Sequence, residues 1–152
     1  MKARMNNPVM VLPDAMKAML ALGASTNHSE VPQTLFKMIH LRGSQINGCG
    51  FCADMHAREL KQAGESDERI WGISAWYDSP YFTDAERAVL ALTEAATRLA
   101  DRTDPVSDDV WNEARKHFNE KALSAIIIHI AVINAWNRIN VTTRTVAGSW
   151  KG

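Results

Sequence analysis

Residues 44–56 of this chain read Ser44-Gln45-Ile46-Asn47-Gly48-Cys49-Gly50-Phe51-Cys52-Ala53-Asp54-Met55-His56. Both cysteines of the 152-residue sequence fall within this stretch. The Asn-Gly pair before the first cysteine is typical of a turn, so a helix is predicted to begin at Cys49 and to end near residue 63. At 3.6 residues per turn, Cys49, Cys52 and His56 then share one helix face. The stretch therefore predicts a site made of two thiols and an imidazole.

The residue types in this pattern are those of a redox centre. The thiolate is the reactive form of cysteine, but a free thiol has a pKa of ~8.5 and is therefore mostly protonated at neutral pH. Backbone N–H groups in the first helical turn stabilise a thiolate, and His56 is placed to accept the proton of Cys52. A second thiol three residues away lets a sulfenic acid resolve to a disulfide before it is oxidised further. We therefore predict that Cys49, Cys52 and His56 are the catalytic residues.

Length and composition predict one domain that spans residues 1–152, because 46% hydrophobic residues suffice for a core of its own. The 17 basic residues are balanced by 17 acidic residues, and no basic stripe is visible. This balance gives no support to binding of nucleic acid or of an anionic membrane. The first 13 residues lack an apolar signal segment, so we expect a cytoplasmic protein, in which a disulfide is more often catalytic than structural.

Helix signals dominate the sequence and predict an all-α fold of about seven helices. The predicted helices cover residues 13–24, 32–47, 49–63, 66–73, 83–101, 107–118 and 120–143. Residues 77–82, which include Pro80, are predicted to form a linker. The apolar stretch 126–133 is shorter than the ~20 residues that a membrane-spanning helix needs, so we predict a buried core element there.

Residues 44–56 resemble the core motif of the carboxymuconolactone decarboxylase superfamily, in its alkylhydroperoxidase D-like branch. Segments 79–88 and 133–138 are similar to the same branch, so the resemblance covers roughly residues 30–140, with its core motif at 37–56. It implies an all-helical protein that assembles as trimers or hexamers and reduces peroxides through its cysteine pair. It also implies that Cys52 attacks the peroxide, that Cys49 resolves the sulfenic acid and that His56 relays protons.

The resemblance is incomplete at two positions. The branch carries a relay glutamate twelve residues before the first cysteine, where this chain has Lys37, and some members have a histidine where this chain has Phe51. A protonated lysine cannot act as the same base, although its charge could help to hold a thiolate. Either another base replaces the glutamate, with Glu59 and His40 as candidates by residue type, or peroxide is reduced slowly.

Several functions stay open at this point. A zinc site would need a fourth ligand that the two cysteines and His56 do not supply, and Ala53 after Cys52 excludes a c-type haem, so we predict no cofactor and no metal. A non-enzymatic redox sensor and a lactone decarboxylase, which works without a cysteine pair, are the alternatives to a thiol peroxidase. For the peroxidase we expect a hydroperoxide substrate, a thioredoxin-like, lipoyl or small-thiol reductant, and a trimer or hexamer. The last helix, apolar on nearly every side, supports that assembly.

The other polar and aromatic residues receive simpler predictions. His129 is predicted to be a core histidine with a hydrogen-bond partner, Asp54 a solvated residue, and the five tryptophans core or interface residues. By default no role is given to three histidines, namely His28, His40 and His117. The motif residues of the last helix are expected either to line the site or to cap buried polar groups, and these are Asn134, Trp136, Asn137 and Arg138.

Overall fold

The computed structural model describes residues 1–149, which form eight α-helices and two short 3₁₀ helices without any strand in that range. The α-helices are α1 Pro8–Val11, α2 Pro13–Ala24, α3 Gln33–Ile46, α4 Gly50–Gln62, α5 Asp67–Gly72, α6 Asp84–Thr97, α7 Asp108–His117 and α8 Glu120–Thr143. The predicted all-α class is confirmed. Helices α2 to α8 correspond to the seven predicted helices, whereas α1 and the 3₁₀ helices Ile73–Asp78 and Leu99–Asp101 were not predicted.

Local side-chain caps account for where several helices begin. Thr83 and Glu86 form a reciprocal capping box at the start of α6, and the side chains of Ser66, Ser107 and Asn119 accept from backbone N–H groups at the starts of α5, α7 and α8. These caps satisfy N–H groups that a helix start leaves without an internal partner. The helix predicted to reach residue 101 ends at Thr97, because the chain tightens there into the second 3₁₀ helix.

The predicted linker 77–82 begins inside the first 3₁₀ helix and is held by one arginine of α6. The Arg87 guanidinium donates to the main-chain carbonyls of Trp76, Tyr77, Ser79 and Phe82. One side chain thus bonds to four main-chain carbonyls, of which that of Trp76 also accepts from the backbone N–H of Ser79. The segment is therefore an ordered connection between α5 and α6.

Helices α3 and α8 form the centre of the bundle, with α4 and α6 packed against α3. The apolar stretch of α8 is confirmed as a core element, since Ile126, Ile130, Val132 and Ile133 are buried. Among the described residues, α8 is the one helix that is long and apolar enough to cross a bilayer, and 56% of its most apolar window is buried inside the fold. It packs as the central helix of the bundle.

Most of the exposed large aliphatic side chains lie near the N-terminal end of the chain. Helix α2 contains no buried residue, its Leu20 and Leu22 are exposed, and so are Met10, Val11 and Leu12 just before it. On α8, by contrast, the large apolar side chains other than Ile127 and Val141 are buried or partly buried. The apolar face that the sequence placed on α8 is therefore mostly covered within the chain.

The tryptophans divide between core and surface. Trp76 is buried, and Trp111 and Trp136 are partly buried. Trp71 is 70% exposed in the single chain and so is not a core residue, whereas its alternative role at an interface stays a prediction. Trp150 lies outside the described residues.

Candidate active site

The two cysteines lie at the start of α4, directly after a tight turn. Gly48 adopts a left-handed backbone conformation, with φ 66°, which an L-residue rarely adopts and glycine tolerates. Cys49 is the N-cap of α4, and its Sγ accepts a hydrogen bond from the backbone N–H of Cys52 at 3.3 Å. The two sulfurs form a disulfide, with the Cα atoms 5.4 Å apart, and both residues are buried. The predicted turn and helix start are confirmed.

Side chains from α8 hold this turn in place. The Asn47 amide donates to Oδ1 of Asn134 at 3.0 Å and to Oδ1 of Asn137 at 2.9 Å, and the Asn137 amide donates to Ser44 Oγ at 3.0 Å. Asn134 and Asn137 therefore cap buried polar groups, which was one of their two predicted roles. Arg138 is exposed and donates to the main-chain oxygen of Asn134.

A pocket of about 680 Å³ opens beside the disulfide. Its lining includes Cys52, whereas Cys49 is not among the lining residues. The polar members nearest in the sequence to the cysteine are His56 and Glu59 on α4, joined by His40 from α3. The apolar members include Met10, Met16, Leu20, Phe51, Met55 and Trp136. The pocket thus presents one cysteine sulfur and three ionisable side chains within largely apolar walls.

His56 is buried and bonded to a carboxylate one turn further along α4. Its Nδ1 lies 2.8 Å from Oε2 of Glu59. The hydrogen bond from His56, together with the charges of His56 and Lys37, holds the pKa of Glu59 below its usual value against the opposing effect of burial. An ionised Glu59 can only accept, so the proton lies on Nδ1 of His56 and Nε2 is left as the basic nitrogen. The catalytic roles of His56 and the cysteines stay predictions.

Lys37 sits beside this carboxylate. Its Nζ donates to the main-chain oxygen of Glu59 at 3.5 Å, and its charge favours the ionised form of that side chain. The carboxylate that partners the motif histidine therefore comes from α4 itself and not from position 37 of α3. Sequence reasoning named Glu59 only by residue type, although its spacing of three residues from His56 places both on one helix face.

A second histidine pair borders the site. Nε2 of His40 lies 3.0 Å from Nδ1 of His129, and Nε2 of His129 lies 2.7 Å from Thr26 Oγ1. His129 is buried and stacks on Phe36, with ring centroids 3.7 Å apart, so its predicted core position is confirmed. Burial lowers the pKa of His129 to about 4. Burial and then the neighbouring His56 and His129 lower the pKa of His40 well below its usual value, so both rings are neutral at pH 7.

His40, to which the default prediction gave no role, lies at the site in this geometry. The His40 ring lies 4.8 Å from the His56 ring, centroid to centroid, and lines the same pocket. Its partner His129 is 89 residues away in the sequence, so no local pattern connects the two. His28 and His117, in contrast, take no part in the site among the described residues, and His117 lies against Glu113 on α7.

Asn140 is a site residue that the sequence did not single out. Its amide donates to Cys52 Sγ at 3.4 Å, and its Oδ1 accepts from the amide of Asn7 at 2.8 Å. Asn140 is one turn after Asn137 on the same face of α8, and this spacing is the one sequence feature that could have predicted its place in the site.

Asp54 does not line the pocket. It pairs with Arg58 at 3.0 Å on the outer side of α4. Within residues 1–149, no group of three or more potential ligands is arranged to hold a metal ion.

Comparison with known families supports the resemblance seen in the motif. The family model described as "Carboxymuconolactone decarboxylase family" matches residues 13–95, which contain α2 to α5 and all but the last two residues of α6. Among curated proteins, the uncharacterized protein YdfG of Bacillus subtilis strain 168 is 32% identical over 139 residues, covering 91% of this chain and 93% of that protein.

Solved structures share the whole fold. The crystal structure of ATU0492 from Agrobacterium tumefaciens has a TM-score of 0.89 at 36% identity and covers 98% of this chain and 100% of its own. ATU0492 is a protein of unknown function with a suggested role in antioxidant defence as an AhpD protein. The debrominase Bmp8 in its apo form has a TM-score of 0.82 at 20% identity, covering 93% of this chain and 75% of its own, and so shares the fold alone.

Proposed function

This chain belongs to the carboxymuconolactone decarboxylase family, and we propose that it is a thiol-dependent peroxidase that reduces hydroperoxides through Cys49 and Cys52. One observation carries the proposal. A cysteine pair that forms a disulfide borders a pocket through Cys52, and the same pocket contains the His56–Glu59 pair. A nucleophilic sulfur beside a base that is itself oriented by a carboxylate is the arrangement that nucleophilic catalysis requires.

In the oxidative half of the cycle, Cys52 is the attacking residue because its side chain faces the pocket. His56 Nε2 takes the proton of the Cys52 thiol, and the thiolate attacks the terminal oxygen of the hydroperoxide. The S–O bond forms as the O–O bond breaks, so Cys52 is oxidised to a sulfenic acid. The departing alkoxide takes the proton from His56. The Cys49 thiol then attacks the sulfenic sulfur, which forms the disulfide and releases water.

In the reductive half, we propose that a dithiol or small-thiol donor enters the same pocket. Its thiolate attacks the Cys52 sulfur, and Cys49 leaves as a thiolate. The backbone N–H of Cys52 points at Cys49 Sγ, and such a bond at a helix N-terminus stabilises the departing anion. The second donor thiol then releases Cys52 and leaves with a disulfide of its own. A thioredoxin-like or lipoyl protein in the cytoplasm supplies this chemistry, and a homo-oligomer, trimer or hexamer, is the proposed working form.

The two proposed roles are tested by serine variants at the two cysteines. With hydrogen peroxide or cumene hydroperoxide and either dithiothreitol or dihydrolipoamide as donor, the wild-type protein should consume peroxide catalytically. Cys49→Ser should stop turnover but leave a sulfenic acid on Cys52 that dimedone traps, whereas Cys52→Ser should abolish the fast reaction. If both thiols persist in the reduced wild-type protein under excess peroxide, the peroxidase proposal is wrong. If dimedone instead labels Cys49 in Cys52→Ser at the wild-type rate, the order of the two cysteines is reversed.

A redox sensor is distinguished by the same assay. It would form the disulfide once per chain and show no turnover with any donor. Lactone hydrolysis or decarboxylation that survives the loss of both cysteines would instead support the superfamily's decarboxylase chemistry.

A further inference from the structure

The hydrogen-bond chain from Thr26 to His40 has a definite proton direction. Thr26 Oγ1 lies 2.9 Å from the main-chain oxygen of Gly23 and donates its only proton there, because two oxygens at that distance need a proton between them. The hydroxyl oxygen therefore accepts from Nε2 of His129 at 2.7 Å. A neutral imidazole carries one proton, so Nδ1 of His129 is bare and accepts from Nε2 of His40 at 3.0 Å.

The same reasoning assigns the last nitrogen of the chain. His40 is neutral and already carries its proton on Nε2, so its Nδ1 holds a free lone pair. Within residues 1–149 this nitrogen has no protein hydrogen-bond partner, and the ring borders the pocket that contains Cys52 and His56. The hydrogen-bond chain of Thr26, His129 and His40 thus leaves Nδ1 of His40 unprotonated at the candidate active site.

The position of His40 on α3 gives that nitrogen a place in the reaction. The resemblance places a relay glutamate at position 37, where this chain has a lysine that contacts the main chain of Glu59. His40 lies three residues later, on the same face of α3, and so reaches the same site from one turn further along. His40 therefore brings a basic nitrogen to the pocket in addition to the His56–Glu59 pair.

We infer that His40 is a second base of this site beside the His56–Glu59 pair, and that His129 and Thr26 are positioning residues that fix its tautomer. The inference rests on the proposed peroxidase function. When His56 takes the proton of the Cys52 thiol, one pocket water passes it on to His40 Nδ1, because the two rings lie 4.8 Å apart, centroid to centroid, without a direct hydrogen bond between them. The proton returns by way of His56 to the departing alkoxide, so that one proton leaves the thiol and one reaches the alcohol product.

The charges around His40 are consistent with a transient proton carrier. From α4 it faces His56 with Glu59 behind it, from α8 it faces His129, and Lys37 precedes it on its own helix. Burial and the two neighbouring imidazoles lower the pKa of His40, so that a proton placed there is given up readily. Glu59 stabilises the charge on His56 while that ring holds the proton.

The tautomers can be observed without any catalytic assay. Ring ¹⁵N shifts of histidine-labelled protein at pH 7 should show that His40 and His129 both carry their proton on Nε2. Thr26→Val removes the hydroxyl acceptor at constant shape and should mix the His129 tautomers, whereas Thr26→Ser should retain them. A proton on Nδ1 of His40 in the wild-type protein would overturn the inference.

Proton transfer is tested by variants that spare the fold. His40→Gln retains a donor for His129 but lacks a basic nitrogen, and His117→Gln is the matched control on α7. In a Cys49→Ser background, His40→Gln should slow the alkylation of Cys52 at pH 7 and move its pH profile upwards. In the peroxidase assay it should lower kcat about 10²-fold with a smaller change in KM, because general-base assistance has that size. Added imidazole should restore part of the rate to His40→Ala.

These readouts separate the inference from the peroxidase proposal. If the wild-type protein consumes no peroxide, the proposed function fails, while the alkylation profile still decides whether His40 accepts a proton at this site. If His40→Gln matches His117→Gln in alkylation profile and in kcat, His40 is only a structural residue and the inference is wrong. Unchanged melting temperatures in both variants establish that neither result comes from unfolding.

Discussion

The side-chain amide of Asn140 donates to the sulfur of Cys52 across 3.4 Å, and the two residues are 88 positions apart in the sequence. The amide is held in this orientation by Asn7, which donates to Oδ1 of Asn140. An N–H donor stabilises a thiolate more than a thiol, because a hydrogen bond to a charged acceptor is the stronger of the two. The N-terminal segment, α8 and the cysteine helix therefore meet at the sulfur that faces the pocket.

Asn140→Asp should weaken the nucleophile. A carboxylate in place of the amide removes the donor and puts a negative charge beside Cys52, so the pKa of the Cys52 thiol should rise. The effect is measured as an upward shift of the pH profile for Cys52 alkylation in a Cys49→Ser background. Asn112→Asp, which makes the same change at an exposed position of α7, is the control and should leave the profile in place. A shared shift would mean that the added charge acts at long range.

Glu59→Gln should slow the reaction by about fivefold. The neutral amide still accepts from His56, but a hydrogen bond to a carboxylate stabilises the imidazolium by roughly 1 kcal/mol more than one to an amide. The rate constant for peroxide consumption at pH 7 is the measurement. Glu113→Gln is the matched control, because Glu113 also lies against a histidine, His117, but on α7. Equal rates for wild type and Glu59→Gln would remove Glu59 from the proposed mechanism.

Acid should destabilise the protein through His129. Its pKa is about 4 in the folded state and near the ordinary value of 6.5 in the unfolded state, so the unfolded chain binds a proton that the folded chain excludes. The free energy of unfolding should therefore fall between pH 6.5 and pH 4 by on the order of 3 kcal/mol from this residue. Urea unfolding at pH 7, 5.5 and 4.5 measures it. His129→Gln should flatten this dependence and His117→Gln should not, and a slope that His129→Gln leaves intact would assign the acid sensitivity to other groups.

The surface of α1 and α2 should form the subunit interface. Met10 of α1 is 68% exposed, and Leu20 is 59% exposed on α2, a helix that buries no residue inside one chain. Leu20→Arg should therefore lower the mass measured by light scattering, since a buried unpaired charge disfavours association. Ile127→Arg, on the partly exposed side of α8, should leave the mass unchanged. A monomeric wild-type protein would refute the predicted trimer or hexamer.

Lys37→Glu distinguishes two relays. If His40 has taken over proton transfer, a second carboxylate beside Glu59 should add no activity, and like-charge repulsion should raise the pKa of Glu59. If the missing carboxylate limits the reaction, turnover of cumene hydroperoxide should rise instead. Lys37→Met, which removes the charge without adding a base, is the control. Increased turnover in Lys37→Glu but not in Lys37→Met would favour the glutamate relay.

The features that the sequence by itself determined are local ones. Seven helices follow from caps and apolar spacing within single segments, and the Asn47-Gly48 turn with Cys49 and Cys52 follows from a contiguous motif. Helix periodicity alone places His56 one turn after Cys52, because residues four positions apart in one α-helix lie on the same face. The family resemblance rests on this same short stretch.

Tertiary packing decided which distant side chains complete the site. His40 is joined to His129 across 89 residues and Cys52 to Asn140 across 88. No local sequence pattern predicts either hydrogen bond. The apolar character of α8 indicated an uncovered face, yet α3, α4 and α6 cover most of that helix, and the largest group of exposed aliphatic side chains lies around α1 and α2. Hydrophobic burial is non-directional, so it specifies that α8 is inside without specifying its neighbours. The hydrogen-bond partners of the cysteine site depend on those neighbours, and only the packed bundle brings them together.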